Sequence, residues 1–293
     1  MDSSRISTCS IAVIDQPPNM AFNTIRAAGY KKVDVLERVP HFSLFPGEVD
    51  YEAIKVAANV NGVKIANLAT YPGGGADGRS VAWAWHGWTV SEPDKFTSFG
   101  FSSDTLVEQD KELEQLIRTI DLAVLLGARS IRVVPGNDQP DTIDKIVPWF
   151  KRAAEYAEEK KIYMGIEAEA AGSISGTPEL IRELVDKVGS PYLGVLFEPG
   201  NLMNICGVDY RHALEVMKDI VVHTHFKDCK VIGDKHEFVM MGEGDIDFKW
   251  IVEQLEATGY KGDYSLEYEL HDPSPAIGLR MFYDKFVGMF DSN

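Results

Sequence analysis

The strongest constraint on this chain is a regular alternation of short apolar segments and amphipathic ones from end to end. Ser10–Ile14, Lys32–Glu37, Val63–Thr70, Ser130–Val134, Ile162–Ala168, Gly194–Phe197, Ile220–Phe226 and Tyr264–Tyr268 read as strands. They are short, and most are rich in β-branched or aromatic residues. Between them lie segments of helical period: 19–28, 51–60, 105–126, 142–159, 178–188, 210–218, 248–257 and 275–289. Several follow an Asp or Thr suited to a helix start and run into a glycine, and in the fifth Thr177 is read as the cap with Pro178 in the first turn. Uniform alternation implies parallel strands joined by crossover helices. Eight such units in 293 residues fit a closed (β/α)8 barrel spanning 1–293 as one domain, with extended loops after strands three and seven. A doubly wound open sheet would want a glycine-rich first turn, and Asp15-Gln16-Pro17-Pro18 stands there instead.

Composition narrows the class. Hydrophobic residues are 45% and charged residues 25%, an ordinary globular balance. No run approaches the ~18 apolar residues of a membrane span, and the first residues lack the pattern of a signal peptide. The three scattered cysteines point to a reducing compartment, so the expectation is cytoplasmic. The net charge of −16 repels phosphate backbones and no basic run offsets it, which argues against nucleic acid as a partner.

Strand ends carry the chemistry. The fifth ends in Glu167-Ala168-Glu169, the sixth in Glu198-Pro199-Gly200-Asn201, the seventh in His223-Thr224-His225-Phe226-Lys227 and the eighth in Glu267-Tyr268-Glu269. In a barrel these ends converge, and like charges brought together want a cation among them. A divalent metal is the simplest solution. Mixed carboxylate and imidazole ligands suit Mn²⁺, the first choice, and also Mg²⁺, Co²⁺, Fe²⁺ or Zn²⁺. Alternation leaves open which of Glu167 and Glu169, of His223 and His225, and of Glu267 and Glu269 faces inward.

The stretches GIEAEAAG, TPELIRELVDKVGSPYLGVLFEPGN, VVHTHFKD and GEGDIDFKWIVEQLEATGYKGDYSLEYE resemble the xylose-isomerase-like barrels of the sugar phosphate isomerase/epimerase group, which includes ketose 3-epimerases and inosose dehydratase. AGYKKVDVLE and NGVKIANLATYPG match more loosely. The resemblance implies one divalent metal held by Glu167, Glu198, His225 and Glu267. It departs from the family at two places: Glu198 stands where the family has Asp, and Asn201 where the epimerases carry a substrate-binding His. It further implies that Glu167 and Glu267 act as bases, one removing a proton next to a metal-bound carbonyl and the other returning it on the opposite face. The expected activity is isomerisation or epimerisation of a sugar, keto-sugar or polyol. Elimination on the same site, including cleavage of a keto-glycoside, is the alternative. A non-catalytic sugar-binding or assembly subunit is the alternative of another class.

Asn201, Lys227, His41, Arg132, Trp88 and His236 are the candidate substrate contacts. The aromatic loop at 71–104, with Trp83, Trp85, His86, Trp88, Phe96, Phe99 and Phe101, reads either as a lid stacking on sugar or as a packing cluster or contact between copies in a homo-oligomer. Asp234-Lys235-His236 before Gly242-Glu243-Gly244 resembles an endonuclease IV pattern, but Tyr71-Pro72-Gly73 supplies no early histidine for a three-zinc site.

Overall fold

The computed structural model describes residues 1–75, 100–233, 235–270 and 272–291. Eight parallel strands close into a barrel. They are β1 (Ile6–Cys9), β2 (Lys32–Leu36), β3 (Lys64–Ala69), β4 (Ser130–Val133), β5 (Tyr163–Glu167), β6 (Leu193–Phe197), β7 (Val221–Phe226) and, after a hairpin of β8 (Asp228–Ile232) and β9 (Lys235–Val239), β10 (Tyr264–Leu266). Around the barrel the order is β1-β10-β7-β6-β5-β4-β3-β2. The helices are α1 (Pro18–Ala27), α2 (Tyr51–Val60), α3 (Leu106–Leu126), α4 (Ile143–Lys160), α5 (Pro178–Val188), α6 (Pro199–Asn204), α7 (Tyr210–Met217), α8 (Phe248–Thr258) and α9 (Pro275–Gly288). None of the described helices is long and apolar enough to cross a membrane.

Helix ends follow local chemistry. Asp50 and Asp247 accept from Ala53 N and Trp250 N, three residues on, at the starts of α2 and α8. Gly127, Gly189 and Gly259 end α3, α5 and α8 in the left-handed region. Thr177 occupies the cap position of α5, yet its hydroxyl makes no cap bond; Pro178 in the first turn and the apolar face of Ile181, Leu184, Val185 and Val188 suffice. Phe101 stacks on Trp149 and meets Phe150 edge-on, so this member of the aromatic loop belongs to the core beneath α4. Residues 76–99, which include Trp83, Trp85, His86, Trp88, Phe96 and Phe99, lie outside the described residues.

The first strand differs from the expectation. Residues 10–13 form a 3-10 turn, and the strand is Ile6–Cys9. The reason is that the barrel lumen here is polar. Hydrogen bonds crossing between β2 and β7, which are not neighbours, place Asp34, His223 and His225 inside. Asn67 is the register partner of Asp34, and Ser130 Oγ donates to Asn67 Oδ1. Ser7 pairs in register with Ser265, on the same face of β10 as Glu267. Barrels of this kind usually fill these layers with aliphatic side chains. In this chain β1 turns Ser7 to the lumen, whereas the more apolar Ile11 and Ile14 pack beside it with Cys9, Leu36 and Ala69.

After β7, the hairpin folds over α6, and His236 Nδ1 lies 2.5 Å from the Met203 carbonyl. The Gly242–Gly244 turn is tied down by Asp228, whose Oδ2 accepts from Gly242 N at 2.8 Å and Gly244 N at 3.0 Å while Oδ1 accepts from Cys229 N. A Cβ on Gly244 would lie 2.1 Å from Asp228 Oδ1, so glycine is needed for this approach. Asp228→Ala leaves three backbone donors without their acceptor and is expected to lower stability by about 2–3 kcal/mol in denaturant unfolding; a loss under about 0.5 kcal/mol, the scale of an ordinary surface change, would contradict this anchoring.

Candidate metal centre at the barrel mouth

Strand ends set the site. Glu167 is the last residue of β5, His225 stands next to last in β7, and Glu267 follows β10 directly. All three are buried. One ligand atom from each can be chosen so that all lie within 4.8 Å of one another. His225 Nδ1 is 2.7 Å from Glu167 Oε1 and 3.6 Å from Glu267 Oε1.

The two glutamates are held alike. Arg132 Nη1 donates to Glu167 Oε2 at 2.6 Å, and Lys227 Nζ donates to Glu267 Oε2 at 2.9 Å. Each carboxylate thus has one oxygen fixed by its own cation and the other turned to His225. Arg132 is itself fixed: Nε donates to the Thr70 carbonyl at 3.0 Å, and the guanidinium lies 4.3 Å from the Tyr71 ring centre. Lys227 also donates to Glu269 Oε2 at 2.7 Å and lies over the Phe238 ring.

The protonation states follow. Burial alone would raise Glu167, but His225 and Arg132 outweigh it and hold this carboxyl well below the usual range. Burial would likewise strip the charge from His225, Lys227 and Arg132. The carboxylates beside His225 and Lys227, and Tyr71 with Glu167 and Glu169 beside Arg132, raise all three instead. Glu169 lies 3.3 Å from Arg132 Nη1, and desolvation at the mouth together with Glu167 and Asp138 brings it up to about 7. Carboxylates and organic cations offset one another across the centre.

Glu198 is arranged differently. It is fully buried, and its carboxylate turns back onto the start of α6, accepting from Gly200 N at 3.0 Å and from Asn201 N. Burial, reinforced by Glu267 and Glu167, pushes it up to about 8 despite Lys227. Asn201 donates through Nδ2 to the Ala168 carbonyl at 2.9 Å and keeps a buried Oδ1 with no protein partner.

Of the remaining candidates, Arg132 and Lys227 reach the cluster, and His236 instead binds α6. His41 lies in the loop after β2, where its ring meets the Gln16 carbonyl at 2.9 Å and packs near Phe22. Trp88 lies outside the described residues.

One participant escapes a reading of strand ends, and a second was read there only as one member of a pair. Asp34 sits mid-strand in β2 and accepts from both His223 and His225; a carboxylate between Val33 and Val35 in an apolar strand was the available signal. Glu269, the second partner of Lys227, was one of an unresolved pair.

Residues 22–283 match the family of xylose isomerase-like TIM barrels. The chain belongs to that family. It is 33% identical to an inosose dehydratase of Lactiplantibacillus plantarum over 120 residues, covering 36% of this chain and 39% of that enzyme. The chain spans about half or less of the length of the curated relatives it matches. A D-tagatose 3-epimerase-like protein shares the fold at a TM-score of 0.70 and 18% identity, with 97% of each chain covered. A xylose isomerase-like TIM barrel protein from Mycobacterium smegmatis in complex with magnesium gives 0.72 at 15% identity, covering 98% of this chain and 99% of that one. The relatives include epimerases and dehydratases, and metal-containing structures occur among them.

His41 supplies a test of the electrostatics outside the metal-ligand set. Because a carbonyl only accepts, Nε2 carries the hydrogen, and the buried Nδ1 has no protein partner. Burial lowers the ring to about 4, so it is neutral in the folded protein. The unfolded chain takes up a proton near pH 6.5 and the folded one only near 4, so this group costs stability as pH falls through that window. His41→Gln is expected to show a shallower loss of unfolding free energy between pH 7 and 4 than the wild type. Parallel pH profiles would contradict a neutral buried imidazole.

Proposed function

We propose that this chain is a divalent-metal-dependent isomerase or epimerase of a sugar, keto-sugar or polyol. The observation that supports it is the paired disposition of Glu167 and Glu267, each anchored by its own cation and each presenting Oε1 to His225 Nδ1. Two anionic carboxylates and one imidazole nitrogen form a donor set suited to a divalent ion of the Mn²⁺, Mg²⁺ or Zn²⁺ type. Glu198 accepts one backbone N–H of α6 on each oxygen and keeps further lone pairs, so it is the candidate fourth ligand. When bound, such an ion supplies Lewis acidity that acidifies a C–H next to a carbonyl.

The protein groups divide the remaining work. β7 stands between β10 and the β6–β5 side of the barrel, so Glu267 and Glu167 approach His225 from two sides. One takes the proton from carbon; the other takes a proton from solvent and delivers it on the opposite face, so the substrate hydrogen exchanges with solvent. Arg132 and Lys227 keep both carboxylates in place through the transfer. Asn201 Oδ1 offers an acceptor for a substrate hydroxyl.

A second reading, β-elimination, has its own support. The Lys227 ammonium lies 2.9 Å from one candidate base and 2.7 Å from Glu269, where its charge can stabilise the oxygen of a departing hydroxyl while the glutamate that took the proton from carbon returns it to that oxygen. Both readings begin with loss of the same proton, and the product separates them.

Incubation of 3-keto sugars, ketohexoses and inososes with the Mn²⁺-loaded protein in D₂O, followed by mass spectrometry, tests the proposal. For the first reading, deuterium is expected in the epimer at the carbon next to the carbonyl; for the second, a product lighter by one water is expected, in which that carbon has joined the new double bond and deuterium enters where the enol takes up a solvent proton. Glu267→Gln and Glu167→Gln, at verified metal content, are expected to slow exchange by at least ~10²-fold. Turnover with full retention of substrate hydrogen would contradict proton abstraction. Chelation is expected to abolish exchange and Mn²⁺ to restore it; exchange that persists after complete metal removal would contradict the metal requirement.

A further inference from the structure

Asp34 lies outside the ligand set described above, yet it bonds to both histidines of the lumen. Its Oδ2 lies 2.5 Å from His223 Nε2 and 3.1 Å from His225 Nε2, and none of the three side chains is more than 2% exposed. The two imidazoles meet edge to face at 78°. One carboxylate oxygen, shared from across the barrel, therefore orients both rings.

The consequence lies in the tautomer. A neutral imidazole has one N–H and one lone pair. An ionised carboxylate only accepts, so the nitrogen facing Asp34 carries the hydrogen. For His225 that is Nε2. Nδ1 meets Glu167 Oε1 at 2.7 Å and donates there as the second N–H of an imidazolium; a divalent ion would take the place of that proton and leave the Nδ1 lone pair to ligate. A carboxylate behind a ligating histidine fixes its tautomer and raises its basicity.

We propose that Asp34 is the positioning residue of the metal centre: it holds His225 in the Nε2–H form, so that Nδ1 is presented to the divalent ion, and His223 steadies Asp34 as its second donor. This inference rests on the metal-centre reading of the proposed function. The competing reading is a second ion on Asp34, His223 and His225, whose ligand atoms also lie within 4.8 Å of one another. That reading requires His225 to ligate through both nitrogens and to lose its N–H. It also displaces two hydrogen bonds that Asp34 Oδ2 already makes.

The test is titration of chelator-treated protein with Zn²⁺, by calorimetry with a competing chelator. The wild type is expected to bind one equivalent. Asp34→Asn is expected to bind 10–100-fold more weakly, the scale for loss of such a partner, and His223→Gln to lose less. Should Asp34→Asn not fold, ¹⁵N NMR of the Zn²⁺-loaded wild type decides alone: His225 is expected to show a metal-bound Nδ1 and a protonated, slowly exchanging Nε2. Unchanged affinity in a folded Asp34→Asn, or Zn²⁺ on His225 Nε2, would overturn the Asp34 assignment and leave the metal centre standing. Two equivalents in the wild type, the second lost in Asp34→Asn, would establish the competing site instead. No Zn²⁺ bound by the wild type would overturn the metal-centre reading and this assignment with it.

Discussion

The site depends on one buried imidazole caught between carboxylates on both of its nitrogens. His225 faces Asp34 through Nε2 and the pair Glu167 and Glu267 through Nδ1. Charges so deeply buried persist only when each has a partner, because an isolated carboxylate loses its hydration and gains nothing in return. The structure meets that requirement from neighbouring strands. Arg132 on β4 serves Glu167, and Lys227 just after β7 serves Glu267 and Glu269. The polar lumen beneath is the extension of the same demand, since a carboxylate at Asp34 would be expensive in an aliphatic layer.

The late half of the barrel was legible because its strands are apolar inside ordinary turn signals and end abruptly in Glu or His. Alternation could pair Glu167 with Glu169 and His223 with His225, but could not say which of each pair reaches the centre. The structure places Glu167 Oε1 and His225 Nδ1 together, while Glu169 stays at the half-exposed rim and His223 turns to Asp34. The first strand was missed because hydrophobicity was taken to mark the barrel wall. In this chain Ser7 faces a polar lumen, and the more apolar residues pack in the following turn. Asp34 was hidden for a related reason: its strand reads as wall, and a cross-barrel bond to β7 leaves no trace in local spacing. Glu198 illustrates another limit. Its position at a strand end was plain, but whether one extra methylene reaches inward or curls onto α6 is decided by packing, and the structure has it curled.

Membership of the xylose isomerase-like TIM barrels settles architecture and leaves chemistry to the site, since one barrel hosts several reactions. Two features characterise this chain's mouth. Asn201 offers a hydrogen-bonding group that does not titrate, and a buried ammonium, Lys227, stands beside one of the two paired carboxylates. An amide at the first place removes one route for moving protons and keeps one for holding hydroxyls. An ammonium at the second favours chemistry in which an oxygen leaves or gathers charge. In the proposed chemistry these groups, rather than the fold, are what would separate return of the proton from loss of a hydroxyl.

The most direct test of the central claim is the position of the ion itself. Crystals grown with Mn²⁺ and measured at its absorption edge are predicted to show one strong anomalous peak bounded by Glu167 Oε1, His225 Nδ1 and Glu267 Oε1, with His225 Nε2 still bonded to Asp34. No peak at the barrel mouth, or a peak between Asp34 and His223 with Glu167 and Glu267 left bound only to Arg132 and Lys227, would contradict the account.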